Sequence, residues 1–168
     1  TQQLAARLER GWCVVLDYGL TEFELALPHR SQGTLTGYRT HQRVGSVLDN
    51  PGEQDITHQV NFTAVCEAAL RAQLAVVSYS TQAQFLTPLG MLHFSETADP
   101  RSPERSRESG AFRTLTHPEA MGHRFKALIL STPCCKDFSL TGARFGGSHG
   151  IITPARAALA QQRKDTGE

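Results

Sequence analysis

A glycine set between two apolar patterns constrains this chain more than any other feature. Residues 2–10 place Leu4, Ala5 and Leu8 at helical spacing with Arg7, Glu9 and Arg10 turned outward, and Gly11 stops that pattern. Trp12, Cys13, Val14, Val15 and Leu16 follow at once. A short apolar, β-branched run without alternation reads as a strand covered on both faces. Helix, glycine and buried strand in that order predict an α/β sheet with crossover connections.

The rest of the chain supplies matching pieces. Residues 62–73 carry Phe62, Val65, Cys66, Ala69 and Leu70 as one helical stripe, with Asn61 placed to cap it. Residues 74–78 (LAVVS) and 125–130 (FKALIL) read as two further strands. Residues 81–92 read as a helix that Pro88 shortens or bends. The stretch 99–109 holds both charge signs and two prolines with no apolar residue, which predicts a solvated loop or linker. Residues 111–123 regain partial periodicity, and 156–162 read as a short helix. Residues 19–61 form a connection rich in Gly, Pro, His and Thr, long enough to be a functional loop with a short strand or helical turn inside it.

The length of 168 residues suits one compact domain, and an apolar fraction of 39% is enough to build a core. A formal net charge of +1 removes the usual electrostatic argument for nucleic acid. The longest apolar run is the five residues from Trp12 to Leu16, far short of a membrane span. Four cysteines without a CxxC pair, and seven dispersed histidines, support neither a disulfide scaffold nor a metal site. Unpaired cysteines and the lack of a signal region point to a reducing interior, with the cytoplasm expected and a mitochondrion the alternative.

Asp17 and Tyr18 stand first among chemical candidates, because ligands of open α/β sheets collect at the carboxyl ends of strands. A carboxylate there can orient a cationic or hydroxylated substrate, and a phenol can hydrogen-bond one. The competing reading has Asp17 capping a turn and Tyr18 packing. Tyr38, Arg39 and His41 in TLTGYRTH make either a recognition surface or ordinary loop surface. Asp55 and Thr57 in PGEQDITH can bind substrate, or organise the approach to the Phe62 helix through side-chain to backbone bonds.

Five segments in order, VVLDYG (14–19), TLTGYRTH (34–41), PGEQDITHQVNF (51–62), TQAQFLTPLG (81–90) and MGHRFKALIL (121–130), resemble the carboxyl-terminal part of the MidA-type class I S-adenosylmethionine-dependent methyltransferases. This family includes a mitochondrial complex I assembly protein-arginine methyltransferase. The resemblance covers residues 5–132 and leaves 133–168 as a tail of uncertain structure. It implies an α/β fold, the carboxyl-terminal part of a Rossmann-like methyltransferase sheet, namely its last three strands with flanking helices. WCVVL would be the fifth strand, LAVVS the sixth, and FKALIL the final antiparallel strand between them.

The resemblance also implies a function. S-adenosylmethionine would be the parent family's methyl donor and a protein arginine the acceptor, with Asp17 and Tyr18 as catalytic candidates. Tyr38, Arg39, His41, Asp55 and Thr57 would line the acceptor side. The family's Gly-rich turn, the acid ending its second strand and its Asn-Glu pair have no counterpart in these residues. The chain is therefore expected to bind no donor by itself and to be inactive alone. The alternatives are a non-catalytic interaction module and an inactive gene fragment. The strand at residues 12–16 would also lack one neighbour. Marginal stability, self-association, or pairing with an amino-terminal half is expected from that open edge.

Overall fold

The computed structural model describes residues 2–96, 103–148 and 151–152. Helix α1 (Gln2–Ala5) is short, and turns carry the chain on to Leu8, which packs with Ala5 against the core. Gly11 follows at φ 138°, a conformation open to glycine and strained for other residues. Its amide donates to the Thr132 hydroxyl at 3.1 Å, and its carbonyl accepts from the Thr132 amide at 3.0 Å. These two bonds fasten the start of the first strand to the end of the last.

Strand β1 (Trp12–Leu20) runs four residues beyond the apolar stretch. Asp17 and Tyr18 therefore lie inside the strand, not at its end as the sequence reading placed them. The extension has two causes: Asp17 and Tyr18 pair with Lys126 and Phe125 of the last strand, and Gly19 and Leu20 find a parallel partner in β5 (Val60–Asn61). A side chain at Gly19 would meet the Val60 carbonyl oxygen and the Phe62 ring, so glycine is what lets the two strands close up.

Asn61 caps α3 (Phe62–Arg71), its Oδ1 accepting from the Ala64 amide at 3.1 Å. The apolar stripe of this helix buries Phe62, Cys66 and Ala69. Strand β6 (Ala75–Thr81), helix α4 (Gln82–Glu96), helix α5 (Pro103–Thr116) and strand β7 (Phe125–Ser131) complete the main layers. The main sheet has the order β5-β1-β7-β6, with β7 antiparallel to both neighbours. The expected order of the three long strands holds, and the short β5 makes a fourth.

Three expectations are corrected. Residues 103–109 are helical, not loop or linker. The prolines and mixed charges misled because α5 is held by a few apolar side chains, with Phe112 seated on Gly90 of α4. Residues 97–102, the rest of that stretch, lie outside the described residues. Among the described residues, the strand at 12–16 is covered on one face only. Cys13 and Val15 pack on the core, whereas Trp12, Val14 and Leu16 keep 38%, 48% and 47% of their surface exposed. Third, the 19–61 connection is more structured than a loop. It holds α2 (Glu22–Leu25) and a second sheet of order β3-β2-β4, built from β2 (Thr36–Arg39), β3 (Gln42–Arg43) and β4 (Asp55–Thr57).

Beyond β7 the chain makes two 3₁₀ turns, and Gly147 pairs with Tyr79 on β6. Ile151 is buried in the cluster around Phe62 and Leu128. The helix expected at 156–162 lies outside the described residues.

Candidate functional site

The second sheet stands beside the carboxyl end of β1 and encloses, with the start of β7, an open cleft of about 640 Å³. Tyr18, Gly19 and Leu20 line it from β1, Thr36, Tyr38 and Thr57 from the second sheet, and Arg124, Phe125 and Lys126 from the start of β7. The parts are fixed by short-range bonds. The Thr34 hydroxyl accepts from the Gln59 amide at 3.2 Å, and the Thr57 hydroxyl donates to the Thr36 carbonyl at 3.4 Å. Tyr18 stands edge-on to Phe125, with ring centroids 5.7 Å apart.

Of the residues singled out in the sequence, the cleft brings together Tyr18, Tyr38 and Thr57. The other four lie outside its lining. Asp17 turns an oxygen back to accept from the Tyr18 amide at 2.8 Å. Arg39 forms an exposed ion pair with Glu53 at 2.7 Å. His41 sits with Thr40 at the tip of the β2–β3 hairpin, both at positive φ, as a two-residue hairpin turn of the left-handed kind requires. Asp55 lies opposite Tyr38 across the β2–β4 pair.

The sequence reading missed the cations of the cleft. Arg30 lines it with its guanidinium donating to the Glu24 carbonyl at 3.0 Å, and Lys126 lines it while its ammonium donates to the His123 carbonyl at 2.8 Å. Arg124, His58 and His123 line it as well, and no Asp or Glu does. A signal was present. HRFK opens the last strand, and two cations at the mouth of a buried strand have no role in its core.

Perturbed groups lie elsewhere. Burial, with Glu67 adding to it, pushes the Cys66 thiol up to about 12. Burial also raises the Tyr79 phenol, while a hydrogen bond from the Thr132 hydroxyl leads the effects that lower the Cys135 thiol. Among the described residues no three His, Cys, Asp or Glu side chains group as a metal site, and no helix is long and apolar enough to cross a membrane.

Comparison with known proteins connects this architecture to methyl transfer. Residues 1–80 match the family described as "Putative S-adenosyl-L-methionine-dependent methyltransferase". A crystal structure of an uncharacterized protein from Burkholderia thailandensis is 30% identical, with a TM-score of 0.79 over 90% of this chain. A second, from the same organism, is described as a "likely methyl transferase" bound to S-adenosyl-homocysteine. It is also 30% identical, with a TM-score of 0.78 over 90% of this chain. The chain spans 40% and 39% of the length of these two structures. No curated protein matches the sequence. The methyltransferase-like sheet thus includes the cleft, whose walls fall partly within the family match and partly in β7 beyond it.

Proposed function

We propose that this chain forms the acceptor side of an S-adenosylmethionine-dependent methyltransferase that modifies a protein side chain. One observation carries the reading. The sheet, with β7 antiparallel between β1 and β6, belongs to a chain 30% identical over 90% of its length to a protein holding S-adenosyl-homocysteine.

The residues of the cleft do not fit the methyl donor itself. S-adenosylmethionine carries a sulfonium cation, and donor sites of open α/β sheets present an acid to the ribose hydroxyls. This cleft presents three permanent cations and no carboxylate. The donor is therefore held outside the cleft, and the chain's own contribution is to bind and orient the acceptor, the positional part of catalysis.

Within this reading the acceptor is an arginine. A guanidinium stays protonated near neutral pH and is oriented best by a carboxylate. Asp17 lies opposite the lining residue Lys126 across the β1–β7 pair, and Asp55 opposite the lining residue Tyr38 across the β2–β4 pair, so each carboxylate stands beside a residue of the wall. Tyr18 offers a phenol at the mouth. Tyr38 and Thr57 form the opposite wall, and the hairpin carrying Arg39 and His41 extends the substrate surface. The cytoplasm is the compartment this reading favours.

The test is expression of the complete reading frame that contains this chain, followed by calorimetric titration with S-adenosyl-homocysteine and assay of methyl transfer to arginine-containing protein. Binding and transfer are expected, with Asp17→Asn lowering transfer by about tenfold or more and leaving donor affinity unchanged. The 168-residue chain alone is expected to bind no S-adenosyl-homocysteine. A complete product that binds no donor overturns the proposal.

A further inference from the structure

The charge of the cleft says more about the acceptor than the methyl-transfer reading requires. Arg30 reaches it from the turn after α2, and Arg124 and Lys126 reach it from the start of β7, with His58 and His123 nearby. These cations do not reflect a basic chain, because the net charge is only +1. No acid stands in the lining itself. Asp17, opposite Lys126 across the β1–β7 pair, is bonded to the Tyr18 amide, and Asp55 lies beside the wall opposite Tyr38. The Glu24 carboxylate folds back onto Thr21 as a helix cap at 2.7 Å, and Glu53 pairs with Arg39. The lining cations therefore outnumber the acids next to them. A concave, one-sign surface focuses its field and concentrates ligands of the opposite sign.

We infer that the cleft docks an acidic segment of the protein substrate, so that the residue to be methylated is flanked by Asp or Glu side chains. The inference deepens the acceptor-side reading and rests on it for the identity of the segment. An isolated arginine entering a cleft of this sign is repelled. Carboxylates beside it in the segment reverse that, because they meet Arg30, Arg124 and Lys126 as charge-assisted partners. Tyr38 and Thr34 offer hydroxyl donors to the same segment, the Thr36 and Thr57 hydroxyls already donating to backbone carbonyls.

The experiment uses the 168-residue chain and fluorescence anisotropy, with no methyl donor present. The probes are an aspartate-rich peptide carrying one arginine, the same peptide with asparagine at every aspartate, and a single-stranded oligonucleotide of equal charge. The acidic peptide is expected to bind, and to weaken as salt rises through the range where screening shortens to about 10 Å. The asparagine peptide should bind at least about tenfold more weakly. Arg124→Gln should cost about fivefold, the upper range for one exposed ion pair, and Arg124→Lys should restore most of it. Arg113→Gln, an exposed cation on α5 away from the cleft, should change nothing.

Equal binding of the two peptides overturns the inference, as does an equal loss in Arg124→Gln and Arg113→Gln. Tighter binding of the oligonucleotide assigns the cleft to nucleic acid and overturns it too. Arg124 is exposed, and circular dichroism of each variant confirms the fold; should Arg124→Gln unfold, Lys126→Gln carries the same comparison. Failure of the donor titration on the complete product removes the methyltransferase reading without touching the peptide result. Failure of the peptide assay leaves donor binding intact.

Discussion

Strands β1 and β7 are neighbours with apolar sequences of the same kind, yet they meet different surroundings. In β7, Ala127, Leu128, Ile129 and Leu130 are at most 1% exposed, sealed by α3 on one side and by α4 on the other. In β1 only the α3 side is covered by described residues. Val14 stands opposite Ile129 across the pair and on the same face, but keeps 48% of its surface exposed. An unbroken apolar run shows that a strand prefers burial; which faces are covered depends on layers supplied from elsewhere. The same contrast holds for backbone pairing. β7 is bonded along both edges, whereas the outer edge of β1 is paired only at Gly19 and Leu20 among the described residues.

Truncating the two strands should separate them most clearly. Leu128→Ala empties a fully enclosed site and should cost about 2–5 kcal/mol in urea unfolding of the isolated chain. Val14→Ala removes a half-exposed side chain and should stay within about 0.5 kcal/mol. Equal losses in the two variants would mean that the outer face of β1 is covered in solution.

Much of this contrast was hidden in the sequence for physical reasons. The order of the long strands was implied by the family resemblance alone, whereas the Asn61 cap and the Phe62 helix were legible, because periodicity and capping are local and act within a few residues. The length of β1 was not. Asp17 and Gly19 carry no strand signal. Asp17 and Tyr18 are drawn into the strand by pairing with Lys126 and Phe125 of β7, and Gly19 and Leu20 by Val60 and Asn61, which arrive from about forty residues away. Helix α5 was misread for a similar reason, since Phe112 against Gly90 is a contact between helices that no single window contains. The cleft was half legible. Tyr18, Tyr38 and Thr57 were found through their segments, whereas Arg30, Arg124 and Lys126 converge from two distant stretches.

Gly19 tests the junction between the well-covered and poorly covered parts of the sheet. Gly19→Ala puts a methyl group against the Val60 carbonyl and the Phe62 ring. It should cost about 1–3 kcal/mol, the usual range for overpacking. Because Gly19 also lines the cleft, acidic-peptide affinity should fall with stability. Lost stability with unchanged affinity would separate the junction from the cleft.

The thiols divide along the same line. Cys66 is buried under the α3 side with its pKa raised from 9.0 to about 12, while Cys134 is exposed. A raised pKa means that the folded state holds its proton more tightly than the unfolded state. This contribution is fully present below pH 9.0 and is lost as pH climbs through about 12. Thermal melts should therefore fall across that window, and Cys66→Ala should flatten the fall relative to its own value at neutral pH. A thiol-specific chromophore should label Cys134 first and Cys66 only on unfolding. Fast labelling of Cys66 in the folded chain would contradict its burial.

The smallest expected effect on stability belongs to the outer face of β1, where the largest effect on association is expected. Trp12 and Phe138 meet edge-on at 5.9 Å, and with Val14 and Leu16 they form an exposed apolar strip beside the unpaired edge. An open edge of this kind pairs with another chain unless a charge or a covering element prevents it. In the isolated chain, Leu16→Lys should leave the urea midpoint nearly unchanged, since Leu16 is 47% exposed and a surface position outside the core shifts stability by about 0.5 kcal/mol or less. Sedimentation should nevertheless show a clear shift from associated species to monomer. A wild-type chain that sediments as a monomer and melts sharply at high temperature would show that β1 tolerates its open edge. The contrast with β7 would then concern packing alone.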